Sequence, residues 1–169
     1  MRLQPWIGVS CAILGLGLVS CHKGSDDIGE QFMVVLRGAN EVPPRATPAT
    51  GNMGFNVSGN RVDYSIEVYN LTTPIIGAHI HCCGAQATAG VNGPIRIALF
   101  PGPGANSTSN PLGGVNGQLY EGSFEASDVV GVTYAELLAN MRAGTAYGNV
   151  HTTQFPGGEI RGQVQVITR

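Results

Sequence analysis

Charge is scarce in this 169-residue chain: Asp, Glu, Lys and Arg make up 12% of it, with 9 basic residues against 11 acidic ones. No basic stripe exists, which argues against a nucleic-acid partner. The commonest enzyme signatures are missing too. There is no Gly-Lys-Ser/Thr phosphate loop, no Gly-x-Ser-x-Gly elbow and no His-Glu-x-x-His pair. Nothing in the chain identifies a substrate, and the balance leans away from an enzyme. In place of charge stand 25 glycines with abundant Thr, Asn and Ser, a mix that suits a secreted, turn-rich β protein better than a helical one.

Cysteine is limited to four residues, Cys11, Cys21, Cys82 and Cys83. Cys11 lies inside a leader: Arg2 supplies a positive start, and Ile7 to Val19 is an apolar run too short for a comfortable membrane span. The run closes in Leu18-Val19-Ser20-Cys21, which resembles the lipobox of bacterial lipoproteins. The resemblance implies cleavage after residue 20 and acylation of Cys21. Nine basic residues less Arg2 leave eight in the mature chain, a mild negative balance. Residues 21–31 then read as a flexible tether without periodicity. Lys23 and the acidic residues after it resemble surface-export signals of some Gram-negative lipoproteins. The expected location is the bacterial cell envelope, at the outer membrane or cell surface, with the lipid anchor as the membrane partner.

From residue 32 to 168 the pattern is that of one domain. Candidate strands cover Phe32–Leu36, Met53–Val57, Arg61–Tyr69, Ile76–Cys82, Pro94–Phe100, Gln118–Phe124, Ala146–Thr152 and Glu159–Thr168. Ser58-Gly59-Asn60 reads as a hairpin turn. In the third strand Val62, Tyr64, Ile66 and Val68 alternate onto one face, which predicts a core side, with Arg61, Ser65 and Glu67 facing out. Residues 101–117 carry turn formers and no apolar run, so a loop is expected. One helix is predicted over 133–142, with Thr133 as N-cap, Glu136 three residues later and Gly144 past the end. The expected class is all-β: an antiparallel Greek-key or immunoglobulin-like sandwich with one short helix.

The chemistry concentrates in two stretches. Gly77-Ala78-His79-Ile80-His81-Cys82-Cys83 and Gly148-Asn149-Val150-His151 hold every histidine except His22. On a strand, residues two apart share a face, so His79 and His81 project together and Cys83 joins them if the strand continues. With His151 they form either a metal site or a hydrogen-bonded structural cluster. Cys83 is a candidate fourth ligand, which favours copper or zinc, whereas a vicinal Cys82–Cys83 disulfide would remove it. Glu159 and Arg161 also share a face. They read as a structural charge pair, with Arg161 forked onto Glu159 or Glu41, rather than as catalytic groups.

Five motifs in order carry a resemblance. They are residues 36–44 (Leu-Arg-Gly-Ala-Asn-Glu-Val-Pro-Pro), Ala78-His79-Ile80-His81, Asn92-Gly93-Pro94, Leu138 with Met141-Arg142-Ala143-Gly144 and Tyr147, and residues 149–163 from Asn149 to Gln163. Together they resemble the CHRD (chordin) domain family, with Gly148 standing where the family usually has an apolar residue. The resemblance implies an extracytoplasmic immunoglobulin-like or Greek-key β domain. Around the histidines the chain is also similar to copper-zinc superoxide dismutases, in which a Gly-x-His-x-His strand and a later Val-His supply copper ligands. That resemblance implies His79, His81 and His151 as ligands. No further His is present for a bridging ligand, and no Asp-rich zinc loop, which argues against a dismutase and leaves a simple copper site open.

The expected function is a lipid-anchored, non-enzymatic binding or structural module for a protein, glycan or metal partner. The alternative is a mononuclear copper protein, redox-active or not, that uses His79, His81 and His151.

Overall fold

The computed structural model describes residues 29–83 and 90–167. The leader, Cys21 and the tether up to residue 28 lie outside the described residues, as does Thr168 at the end of the last expected strand. The strands are β1 (Gln31–Arg37), β2 (Thr50–Ser58), β3 (Arg61–Tyr69), β4 (Ile75–His81), β5 (Ile95–Phe100), β6 (Gly117–Glu125), β7 (Tyr147–Thr152) and β8 (Ile160–Val166). Among the described residues one α-helix, α1 (Tyr134–Arg142), lies between β6 and β7. Each strand falls where the apolar periodicity predicts it, within a few residues.

All pairings are antiparallel, and the eight strands form one sheet in the order β5-β4-β7-β8-β1-β2-β3-β6. The sheet curls until its ends approach, as a barrel-like sandwich. Tyr64 of β3 donates its hydroxyl to the carbonyl of Leu99 in β5 at 2.7 Å, across the interior. Ordering a buried tyrosine this way satisfies its polar tip while its ring stays in the core.

The concave side is apolar. Phe32, Val34 and Leu36 of β1 alternate with exposed neighbours, and Met53, Phe55 and Val57 of β2 do the same. In β3, Val62, Tyr64, Ile66 and Val68 are buried, Arg61 and Glu67 are exposed, and Ser65 is half-buried on the outer side. The helix closes one end by burying Leu137, Leu138 and Met141. Its start is a reciprocal cap: Glu136 N–H donates to Thr133 Oγ1 at 3.2 Å, and Thr133 N–H donates to Glu136 Oε2 at 2.8 Å. Gly148 of β7 has a packing reason to lack a side chain. A Cβ there would stand 2.6 Å from Met53 Sδ, so Met53 occupies the space a larger residue would need.

In β4 and β7 the alternation of buried and exposed residues disappears, because every residue but Ile76 is buried. One face carries Ala78, Ile80 and Val150 and belongs to the core. The other carries Gly77, His79 and His81 from β4 with Tyr147, Asn149 and His151 from β7. That second face is polar, yet it is covered by loops. Core packing away from it should follow ordinary rules. Ile66→Ala should cost about 2–5 kcal/mol in urea denaturation, and Glu67→Lys should change stability by less than about 0.5 kcal/mol. Equal losses would mean the two faces of β3 are assigned wrongly.

Candidate metal centre

The β4–β7 register sets His79 opposite Asn149, His81 opposite Tyr147 and Gly77 opposite His151. The three imidazoles therefore come from a small patch of two neighbouring strands. Their ring centroids are 4.6 Å apart for His79 and His151, 5.6 Å for His79 and His81, and 6.4 Å for His81 and His151. One nitrogen from each ring lies within 4.8 Å of the others, and all three residues are buried. Gly77 makes the space: a Cβ there would meet Asn106 O at 2.9 Å and the His79 ring at 3.3 Å.

Each ring is oriented by a backbone carbonyl in a covering loop. His79 Nε2 lies 2.6 Å from Asn106 O, His81 Nδ1 lies 2.8 Å from Gly93 O, and His151 Nδ1 lies 2.8 Å from Pro156 O. A carbonyl only accepts, so each of these nitrogens is the N–H of a neutral imidazole. The other nitrogens, His79 Nδ1, His81 Nε2 and His151 Nε2, are then lone pairs. His79 Nδ1 and His151 Nε2 face each other at 2.9 Å with no proton to share. Asn149 Oδ1 stands 3.1 Å from His81 Nε2 and 3.0 Å from His151 Nε2. Four electron-rich atoms thus crowd one point, which a cation would relieve.

Cys82 and Cys83 are joined in a vicinal disulfide, so Cys83 offers no thiolate and stands outside the ligand group. Arg96 holds this end of β4, donating to the carbonyls of Cys82 at 3.1 Å and Cys83 at 3.2 Å.

The expected fork of Arg161 onto Glu159 does not form. Arg161 donates to Asn92 Oδ1 at 3.0 Å and Val91 O at 2.7 Å, and its guanidinium carbon sits 3.4 Å from the centre of the Tyr147 ring. Tyr147 is in turn stacked on His81, with centroids 4.7 Å apart and planes 4° from parallel. Glu159 accepts from the Thr47 hydroxyl at 2.7 Å, the Thr72 N–H at 3.2 Å and the Thr152 hydroxyl at 2.8 Å. It latches three segments with no cation. Glu41 feels Arg161 only through its field, without an ion-pair contact, and its Oε1 has no hydrogen-bond partner among the described residues. Sharing a face gave Glu159 and Arg161 the same side of the sheet, but neighbouring groups claimed each before they could meet.

The sequence motifs contain Asn149 and Tyr147 but assign neither a role at the histidines. The signal was available: 147, 149 and 151 alternate onto the same face. The carbonyls of Gly93, Asn106 and Pro156 have no such signature.

Burial lowers the proton affinity of all three imidazoles, to about 3 for His79, where neighbouring His151 adds to the effect, and to about 4 for His81. Burial pushes Glu41 the other way, up to about 7. A family model described as CHRD domain matches residues 32–164. No curated protein and no solved structure matches the chain.

Two outcomes follow from these groups. Glu159→Ala strands three donors and should cost about 3 kcal/mol or more. Because Glu159 and Arg161 share no partner, the losses from Glu159→Ala and Arg161→Ala should add to within about 0.5 kcal/mol; a strongly sub-additive double variant would restore the pair. The second outcome concerns pH in metal-free protein. Between about 3 and 6.5 the unfolded histidines hold more protons than the folded ones, so stability should be full above 6.5 and fall as pH drops through that window. Glu41 opposes this, since its contribution is present below 4.5 and lost as pH rises through about 7. Melting temperatures should therefore fall from pH 7 to pH 4, and more steeply in Glu41→Gln. A flat profile would mean the imidazoles are not buried and neutral.

Proposed function

This chain belongs to the CHRD family, and we propose that its domain is a non-enzymatic metal-binding module that holds one first-row transition-metal ion between His79, His81 and His151. The observation that carries the reading is the convergence of three lone pairs whose rings each give their other N–H to a backbone carbonyl. Metal-ligating histidines commonly have that arrangement, because the carbonyl fixes the tautomer and raises ligand basicity. A purely structural cluster needs donors facing acceptors, and here the facing nitrogens are both acceptors. Asn149 supplies a fourth, oxygen donor at the same point.

The module's place is the bacterial cell envelope, anchored through acylated Cys21. The leader and Leu18-Val19-Ser20-Cys21 support that reading, and the tether before Gln31 supplies reach from the membrane. A protein or glycan partner on the exposed loops is compatible with the same anchored domain.

Copper or zinc is the ion class that imidazole donors suit. Metal analysis of purified mature protein, followed by titration, should give one equivalent per chain. His79→Ala and His151→Ala should each weaken binding by at least about a hundredfold. At a thousandfold excess over the dissociation constant, the ion should add about 4 kcal/mol to stability. A protein that takes up no copper or zinc and gains no thermal stability from either would leave the histidines as a structural cluster.

A further inference from the structure

We propose that this centre selects a monovalent ion, copper(I), over divalent ions, and that Arg161 and the neutral Asn149 set the selection. The inference rests on the metal-binding reading above and adds the charge of the ion it takes.

The argument starts from what surrounds the ion. Among the described residues, the group that converges is three histidines, with no carboxylate and no thiolate. Three neutral imidazoles and a neutral amide leave the full charge of the ion uncompensated by its ligands. The site is also withdrawn from water: His79 and Asn149 are 3% exposed, His81 7% and His151 9%. Charge removed from water without a counter-charge is strongly unfavourable. In the Born description the cost grows with the square of the charge, so a divalent ion meets about four times the penalty of a monovalent one.

A resident cation adds to that penalty. Arg161 is 1% exposed and lies against the Tyr147 ring, which itself stacks on the ligand His81. Tyr147 belongs to β7, between the strands that carry Arg161 and His81. The guanidinium gives its hydrogen bonds to Asn92 Oδ1 and Val91 O, both neutral. The ion pairs among the described residues are Arg61–Asp63 and Arg142–Glu30, so Arg161 has none. Glu41, which interacts with it at longer range, is pushed up to about 7 by burial and so carries only part of its charge at neutral pH. The positive field of Arg161 therefore reaches the ion largely unopposed, and it repels a divalent ion twice as strongly as a monovalent one.

Coordination chemistry points the same way. Zinc sites are usually completed to four ligands by thiolate, carboxylate or water. Copper(I) and zinc(II) share a filled d shell without geometric preference, but copper(I) is satisfied by two or three imidazoles and needs no further anionic ligand or water. Its single charge and low coordination number, rather than softness, are what three neutral nitrogen donors in a dry pocket fit.

The test is an anaerobic competition titration of the purified mature protein against a chromophoric copper(I) chelator, beside titrations with zinc(II) and copper(II) under matched conditions. The wild type should bind one equivalent of copper(I) and hold zinc(II) at least about a hundredfold more weakly. Asn149→Asp, which is nearly isosteric, places an anion beside His81 and His151. It should shift the copper(I)-to-zinc(II) affinity ratio toward zinc by roughly ten- to a hundredfold, because the divalent ion gains twice as much. Arg161→Gln should shift the ratio the same way. Should that variant fail to fold, Asn149→Asp decides alone. Zinc(II) bound as tightly as copper(I) in the wild type, or a ratio unmoved in Asn149→Asp, overturns this proposal while leaving a metal centre standing. Binding of no ion at all removes the metal-binding reading, and this inference with it.

Discussion

Because the carbonyls of Asn106, Gly93 and Pro156 can only accept, each takes the one proton of a neutral imidazole and leaves the opposite ring nitrogen as a lone pair facing a common point. The rest of this side of the molecule depends on that constraint. A sheet face turned away from the core is ordinarily solvated and polar. Here the face of β4 and β7 stays polar but is dry, since loops 90–94, 101–116 and 153–159 lie over it. Those loops are held in part by the imidazoles they orient. Ring orientation and loop position are therefore coupled, although each loop has further anchors of its own, such as the bonds of Arg161 to Val91 and Asn92 and of Thr153 N–H to Pro74 O at 2.9 Å.

Arg161 and Glu159 follow the same economy of charge. Buried ions are normally matched with opposite ions, yet each of these is surrounded by neutral groups. Glu159 gathers two threonine hydroxyls and a backbone N–H, which ties the loop at Thr47, the turn at Thr72 and the end of β7 to the start of β8. Arg161 ties Asn92 and Val91 to β8 and presses Tyr147 against His81. Asn92 continues the chain of contacts to Val42 O at 3.2 Å. Charge–dipole bonds of this kind order segments without bringing a counter-charge near the imidazoles, so Arg161 is the charged side chain whose field reaches them through Tyr147.

Much of this architecture is readable in the sequence, because period-two alternation is imposed by a single buried face. Val62, Tyr64, Ile66 and Val68 follow it, and so do the strand limits around them. Thr133 and Glu136 announce the helix, since their spacing is the one a reciprocal cap requires. The same parity brings His79, His81 and His151 together, because all three sit on one face of adjacent strands. Parity fails where reach matters. It puts Glu159 and Arg161 on one side but does not say that threonines and an asparagine lie closer to each than they lie to one another. Nor does it show which loop carbonyl will meet which ring, since carbonyls are alike in every residue. Parity also places Asn149 on that face, but it does not say that the amide meets two imidazole nitrogens. For Cys82 and Cys83, adjacency left bridge and thiolate both open, and the disulfide resolves that in favour of the bridge.

A metal ion held as proposed would compete with protons for the same three lone pairs, and the geometry would treat the two unequally. A proton placed between His79 Nδ1 and His151 Nε2 joins two nitrogens and leaves His81 Nε2 unsatisfied. It also creates a buried imidazolium, which burial strongly disfavours in each of these rings. On the proposed reading, an ion drawn between the rings would engage all three nitrogens, with the amide oxygen of Asn149 at hand. Both species bring positive charge into a dry site, so desolvation opposes both. Only an ion would recover that cost through several bonds to donors already aimed toward it, because the carbonyls have fixed the rings beforehand. Preorganisation of this kind makes the lowered proton affinity of the histidines and their capacity to hold a metal two consequences of one arrangement.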